Sequence, residues 1–93
     1  MYARVVTVQV QPGKMDEFLR RLRELVPAVQ AIRGVHEARF LTDAHNGTAI
    51  GVTVWETEAD AKAAPVGGAE GGPLRDLLTA PAVVAYYELS VRV

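Results

Sequence analysis

The chain has 93 residues, 49% of them hydrophobic and 23% charged, with a formal net charge of −1 and a pI of about 6.1. That is room for a single globular domain, residues 1–93, with enough apolar content to fold. The near-neutral balance excludes the basic surface that nucleic-acid binding needs. The absence of cysteine excludes disulfides and thiolate metal sites.

Tyr2 to Gln11 is rich in valine and alternates, with Val6, Val8 and Val10 on one side and Val5, Thr7 and Gln9 on the other. This predicts a strand, apolar on both faces and therefore central in its sheet. Pro12-Gly13 ends it. From Lys14 to Ile32, Met15, Phe18, Leu19, Leu22, Leu25, Val26, Val29 and Ile32 recur at steps of three and four, the signature of an amphipathic helix. Asp16 and Glu17 sit early, where they complement the helix dipole. Pro27 is expected to kink or divide the helix near Val26, and Gly34 to stop it.

Val35 to Thr42 and Thr48 to Glu56 read as two strands joined at Asn46-Gly47, a pair that favours the positive φ angles of a tight hairpin. An even-numbered loop puts His36, Ala38, Phe40, Gly51, Thr53 and Trp55 on one face. Val35, Glu37, Arg39, Leu41, Ile50, Val52 and Val54 then take the other, whereas an odd loop with a bulge would change the assignment. Thr57 reads as the N-cap of a second helix, with Asp60 as a capping-box partner and Pro65 as its end. Val66 to Pro73 holds four glycines and predicts a loop, either a lid over a pocket or a plain connection. A short helix is expected over Leu74 to Thr79. A last strand is expected over Val83 to Val93, with Tyr87, Leu89, Val91 and Val93 on one face.

The N-terminal residues lack the pattern of a signal peptide, and no apolar run approaches the roughly 20 residues that span a membrane. The expectation is a cytoplasmic protein without membrane or nucleic-acid partners.

Strand, helix, strand, strand, helix, strand is the ferredoxin-like βαββαβ order of an α+β domain. It implies a four-stranded antiparallel sheet with both helices on one face. The opposite face is then too apolar to be left in water. At about 25 cal/mol per Å² of apolar area, covering even ~500 Å² would favour association by roughly 12 kcal/mol before the costs of binding. A homodimer through the sheet face is the simplest cover.

Several segments carry a resemblance: Tyr2-Ala3-Arg4-Val5, Gln11-Pro12-Gly13-Lys14, Gly34-Val35, Val54-Trp55-Glu56-Thr57-Glu58 and Tyr87-Glu88-Leu89-Ser90. In these the chain resembles the antibiotic-biosynthesis-monooxygenase-like group of dimeric α/β-barrel proteins. The resemblance covers nearly the whole chain and is weakest from Ala64 to Ala80. It implies a cofactor-independent monooxygenase acting on a small aromatic or polyketide-like compound. The alternative is a non-catalytic small-ligand-binding or stress-related protein of the same architecture. The haem-degrading branch uses an Asn in strand one with a Trp and a His on the second helical region. The corresponding positions here fall near Val6 or Thr7, Ala63 and Pro73, so the resemblance disfavours haem chemistry and no cofactor is expected.

Such oxygenation needs an apolar pocket with a base or a hydrogen-bond donor for the substrate anion. His36, Arg39, Trp55 and Tyr87 are the pocket candidates, with Tyr86 as a further source of a phenol. Each also has a plainer reading. His36 would be an edge residue, Arg39 the partner of Glu37, Trp55 a packing residue where helix two begins, and the tyrosines core or interface aromatics. Two distant histidines without a carboxylate cluster make no metal site.

Overall fold

Residues 1–65 and 72–93 are described in a computed structural model of the chain. Strand β1 spans Tyr2–Gln9, helix α1 Met15–Gln30, β2 Val35–Asp43, β3 Thr48–Trp55, helix α2 Glu58–Ala63 and β4 Val83–Glu88. The strands form one antiparallel sheet in the order β2-β3-β1-β4, with β1 and β3 at its centre. This is the ferredoxin-like α+β arrangement, and the valine-rich strand β1 takes the central place its two apolar faces call for.

The β2-β3 hairpin has a four-residue loop, since Asp43 pairs with Thr48. Gly47 adopts φ +70°, and the Asp43 carboxylate accepts from the Asn46 backbone N–H and side-chain amide at 3.3 and 2.7 Å. Those bonds hold the Asp43 carboxyl below the usual carboxylate range, the Asn46 side chain contributing most. The even loop gives the expected faces from Glu37 onward: Ala38 opposes Thr53 and Phe40 opposes Gly51, while Glu37 opposes Val54 and Arg39 opposes Val52. Val35 departs from the expectation. A bulge between Val35 and Glu37 brings Val35 opposite Trp55, onto the Trp55 face.

The helices cover the face that carries Arg4, Val6 and Val8 of β1 with Gly51, Thr53 and Trp55 of β3. One core cluster joins Val8, Val10, Phe18, Ala49, Leu74 and Leu77. A second joins Trp55, Ala61 and Ala64, with Tyr2, Ile32, Val35 and Tyr86 packed around it. The other face carries Ala3, Val5, Ile50, Val52, Val54 and Ala85 down its middle, and among the described residues no helix covers it.

Helix α1 runs through Pro27 without dividing. Its interruption is local, because the next residues still close onto the helix: Ala31 N–H donates to the Pro27 carbonyl and Ile32 N–H to that of Val29. Gly34 does not cap the helix itself. It sits at φ +86° in the turn closed by Val35 N–H on the Ile32 carbonyl, beyond the helix end at Gln30. In α2, Thr57 Oγ1 accepts from the Asp60 N–H at 3.1 Å, as a capping residue should. The helix expected over Leu74 to Thr79 is a single 3₁₀ turn, Arg75–Leu77, tied to the end of β1 by Gln11 N–H on the Leu77 carbonyl at 2.8 Å. The last strand ends at Glu88 rather than Val93, because its ladder with β1 ends at Tyr2. The expected lid-or-connection loop lies mostly outside the described residues.

Arg21 ties α1 to the 3₁₀ turn. It donates to Glu17 at 2.8 Å, to Asp76 at 2.9 Å and to the Pro73 carbonyl at 2.8 Å. The Arg21 hydrogen bond and charge hold the Glu17 carboxyl below its ordinary range. A depressed carboxyl contributes stability that is fully present above its unfolded pKa and is lost as pH falls through the folded one. In urea titrations from neutral pH to below the ordinary carboxylate range, Glu17→Gln should therefore flatten the acid side of the stability profile. Added salt should shrink the difference from wild type, since the group is solvent-accessible.

Candidate functional site

Arg4 shares its parity with Val6, Val8 and Val10, so β1 delivers a guanidinium to the covered face of the sheet. The residue is only 6% exposed. Nη1 donates to the carbonyls of Ala61 and Ala64 at 3.3 and 2.7 Å, and Nη2 to that of Pro65 at 3.4 Å. These are the last carbonyls of α2 and its exit, where the helix dipole favours a cation. The guanidinium carbon also lies 5.1 Å from the centre of the Trp55 ring, within cation–π range. Trp55 is fully buried, and its Nε1–H donates to Thr53 Oγ1 at 2.8 Å. Thr53 Oγ1 in turn donates to the Arg4 carbonyl at 3.4 Å. β1, β3 and α2 thus meet in one buried polar network (Arg4, Thr53, Trp55) inside an otherwise apolar layer.

Beside this network a cavity of about 120 Å³ lies between the sheet and α1. Val6, Val8, Phe18, Leu22 and Leu25 make most of its apolar wall, and Arg4, Thr42 and Thr53 are the polar residues that line it. Phe40 closes one side. Its ring lies over Gly51, where a β-carbon would come within 3.3 Å of it. An apolar cavity of about 150 Å³ takes a benzene ring, so this one is of the scale of a single ring. Among the described lining residues there is no His, Cys, Met or Tyr, and hence none of the side chains that ligate haem iron.

The four residues singled out from the sequence are not brought together. His36 lies on the edge strand, exposed, with Nε2 hydrogen-bonded to the Glu56 carboxylate. Arg39 is on the uncovered face beside Glu37, 3.9 Å from its carboxylate. Tyr87 is 58% exposed on that same face, opposite Ala3. Trp55 lies under α2, next to the cavity network but not in the cavity wall. Tyr86 faces the Trp55 cluster, with Lys62 5.7 Å from its ring centre. The polar residues that line the cavity are Arg4, Thr42 and Thr53, none of them among the sequence-based candidates. The signal for Arg4 was its register: a lone charged residue on the face of a central strand that also carries Val6, Val8 and Val10.

No group of three or more potential metal-ligating side chains occurs among the described residues, and no helix there is long and apolar enough to cross a membrane. Tyr2 packs on the Trp55 cluster, and the nearby Glu58 charge, with burial and Glu88, holds its phenol above the usual range. It stays protonated at neutral pH.

Comparison with known proteins agrees with the architecture. Over 58 residues, 61% of this chain, it is 36% identical to the uncharacterized protein Rv2558 of Mycobacterium tuberculosis, and that match spans a quarter (25%) of the relative's length. The protein NE2512, of unknown function, from Nitrosomonas europaea superposes with a TM-score of 0.81 at 19% identity, covering 99% of this chain and 92% of the other. The heme-degrader MhuD of Mycobacterium tuberculosis, solved with two hemes bound in its active site, superposes with a TM-score of 0.75 at 18% identity, covering 100% and 99%. At such identities the structural likeness establishes the fold. Residues 1–64, which include β1, α1, the hairpin and α2, match the family model described as antibiotic biosynthesis monooxygenase. The chain belongs to the antibiotic biosynthesis monooxygenase family.

Proposed function

We propose that the chain works as a homodimer, joined through the uncovered sheet face, that takes the ring of a small aromatic or polyketide-like compound into the cavity beside Arg4 and oxygenates it without metal or flavin. The observation that carries this reading is the cavity itself: an apolar cleft of about 120 Å³ with Arg4 and Thr53 among its lining residues. An electron-rich phenol or enol reacts with O2 as its anion, and a low-dielectric chamber with a fixed cation nearby favours that anion over its neutral form. One oxygen atom ends on the substrate carbon, and the other leaves as water with two hydrogens that the substrate gives up. Arg4 supports the anion, while Phe18, Leu22 and Phe40 exclude water from the ring.

The dimer reading places Arg39 and Tyr87 between subunits, on the face that carries Val52, Val54 and Ala85. Trp55 then serves the frame of the site rather than its floor, and His36 stands outside it at the sheet edge. A second reading, a ligand-binding module without turnover, is favoured by one feature: no His, Asp, Glu or Tyr lines the cavity among the described residues to take a substrate proton. A substrate already acidic enough to ionise in water removes that need.

Titration with cyclohexane-1,3-dione, a single-ring enol that ionises in water, followed by NMR with an oxygen electrode in parallel, tests both. Shifts should concentrate on Phe18, Leu22, Gly51 and Thr53, and oxygen uptake should exceed the protein-free rate. Binding without extra uptake supports the binding module. Shifts scattered over the surface would overturn both readings. Native mass spectrometry should give the mass of two chains, and a monomer at micromolar concentration would contradict the dimer.

A further inference from the structure

Two residues that line the cavity also line a second space. Val29 of α1 and Phe40 of β2 stand between the cavity and a groove of about 450 Å³ that runs between α1 and β2. Phe40 is the larger part of that partition. The two aromatic rings at the cavity are held very differently. Phe18 is 4% exposed and belongs to the core cluster of Val8, Val10 and Leu77, so it moves only at the expense of the core. Phe40 is 38% exposed and belongs to neither core cluster of the described residues.

The Phe40 ring is placed by what is missing beneath it. Phe40 pairs with Gly51 across the hairpin, and a β-carbon at 51 would come within 3.3 Å of the ring carbons Cδ1 and Cε1. Bare backbone at 51 lets the ring settle onto the sheet. Its neighbours on the same face of β2, Ala38 and Thr42, are short. Between them β2 brings one bulky group to the cavity side of the sheet, and that group is a ring.

We infer that Phe40 is the specificity-determining residue of the cavity: its ring takes the place of a second fused ring and limits the ligand to one. The inference rests on the cavity reading and deepens it, because it narrows the substrate class to one-ring phenols and enols. A cavity of about 120 Å³ is of the scale of one ring. Taking away the Phe40 ring adds the space of another and opens the cavity toward the groove. A ligand with a second fused ring fills that hole, whereas a one-ring ligand gains nothing from it.

NMR titration of the wild type, Phe40→Leu and Phe40→Ala with two probes tests this. One is cyclohexane-1,3-dione, and the other is 4-hydroxycoumarin, a fused two-ring enol that also ionises in water. The amide signals of Phe18, Leu22 and Thr53 report occupancy. The quantity read is the ratio of the two affinities within each protein, which a general loss of stability does not move. The wild type should favour the one-ring probe. In Phe40→Ala the ratio should move toward the two-ring probe by about tenfold or more, the scale on which an apolar pocket discriminates by size. Phe40→Leu should move it less, and it keeps an aliphatic wall if the alanine variant fails to fold. An unchanged ratio, or a wild type that takes the two-ring probe as readily, overturns the role of Phe40 and leaves the cavity reading standing. A wild type in which neither probe shifts those amides overturns the cavity reading, and the size limit with it.

Discussion

Trp55→Ala is expected to destabilise the domain by about 3–5 kcal/mol, the range for removing a large buried aromatic and leaving its cavity. Three losses combine. The ring is fully buried against Ala61 and Ala64. The Arg4 guanidinium loses the π-face it lies on. Thr53 Oγ1 loses the Nε1–H donor. A domain of this size has a total stability of roughly 5–15 kcal/mol, so the variant sits near its unfolding threshold at room temperature. Trp55→Phe gives the informative companion. It keeps most of the ring but not the donor, and should cost about 1–2 kcal/mol. Urea denaturation followed by circular dichroism measures both. Equal, small losses for Ala and Phe would mean that the site collapses freely around the missing ring.

The same three residues explain why a buried cation is tolerated here. Burying an isolated charge is prohibitive, and a buried charge persists only where hydrogen bonds replace its water. Arg4 meets a cluster of carbonyls at the end of α2, where several acceptors project together and the dipole is negative. The planar fork of a guanidinium can bond carbonyls at its edge while its face lies over a ring. A lysine has one point charge and no face to stack. The network therefore anchors α2 to the sheet and places a fixed positive charge at the cavity wall.

Much of the fold was legible. Valine alternation marked β1, three- and four-residue spacing marked α1, and Asn46-Gly47 marked a hairpin whose even loop assigns the faces of Glu37 to Leu41. Val35 was misassigned because a bulge leaves no trace in hydrophobic parity. The helix side could not be read either, because β2 and β3 carry apolar residues on both faces. The deciding contacts, those of Trp55 with Ala61 and Ala64, join residues whose meeting depends on the docking of α2. The candidate site was less legible still. His36, Arg39 and Tyr87 attracted notice by residue type, but register puts two of them on the uncovered face and the third at an edge. Arg4 was hidden because a single charge in a valine-rich strand also suits a strand end at the surface. The apparent overlength of the last strand had its own cause: alternation continues to Val93, whereas pairing stops where the β1 register stops.

Gly34→Ala is the second substitution expected to be severe, at about 2–4 kcal/mol. The position adopts φ +86°, where an L side chain costs about 1–2 kcal/mol. A β-carbon there would also stand 2.6 Å from Asp60 Cγ and 2.8 Å from Asp60 Cβ, both inside van der Waals contact. Asp60 cannot step aside freely, since its N–H is held by Thr57 Oγ1 and its carbonyl accepts from Ala64 N–H. On the other side, the Gly34 carbonyl accepts from Glu56 N–H at 2.7 Å, so the turn cannot retreat without loosening the end of β3. A double-mutant cycle separates the two terms. Asp60→Gly removes the clash at a helix-propensity cost of about 0.3 kcal/mol, leaving only the φ strain when combined with Gly34→Ala. The double variant should therefore be more stable than the sum of the single losses by about 1–2 kcal/mol. Strict additivity would show that backbone strain alone accounts for the glycine, and that α2 does not bear on the turn that starts β2.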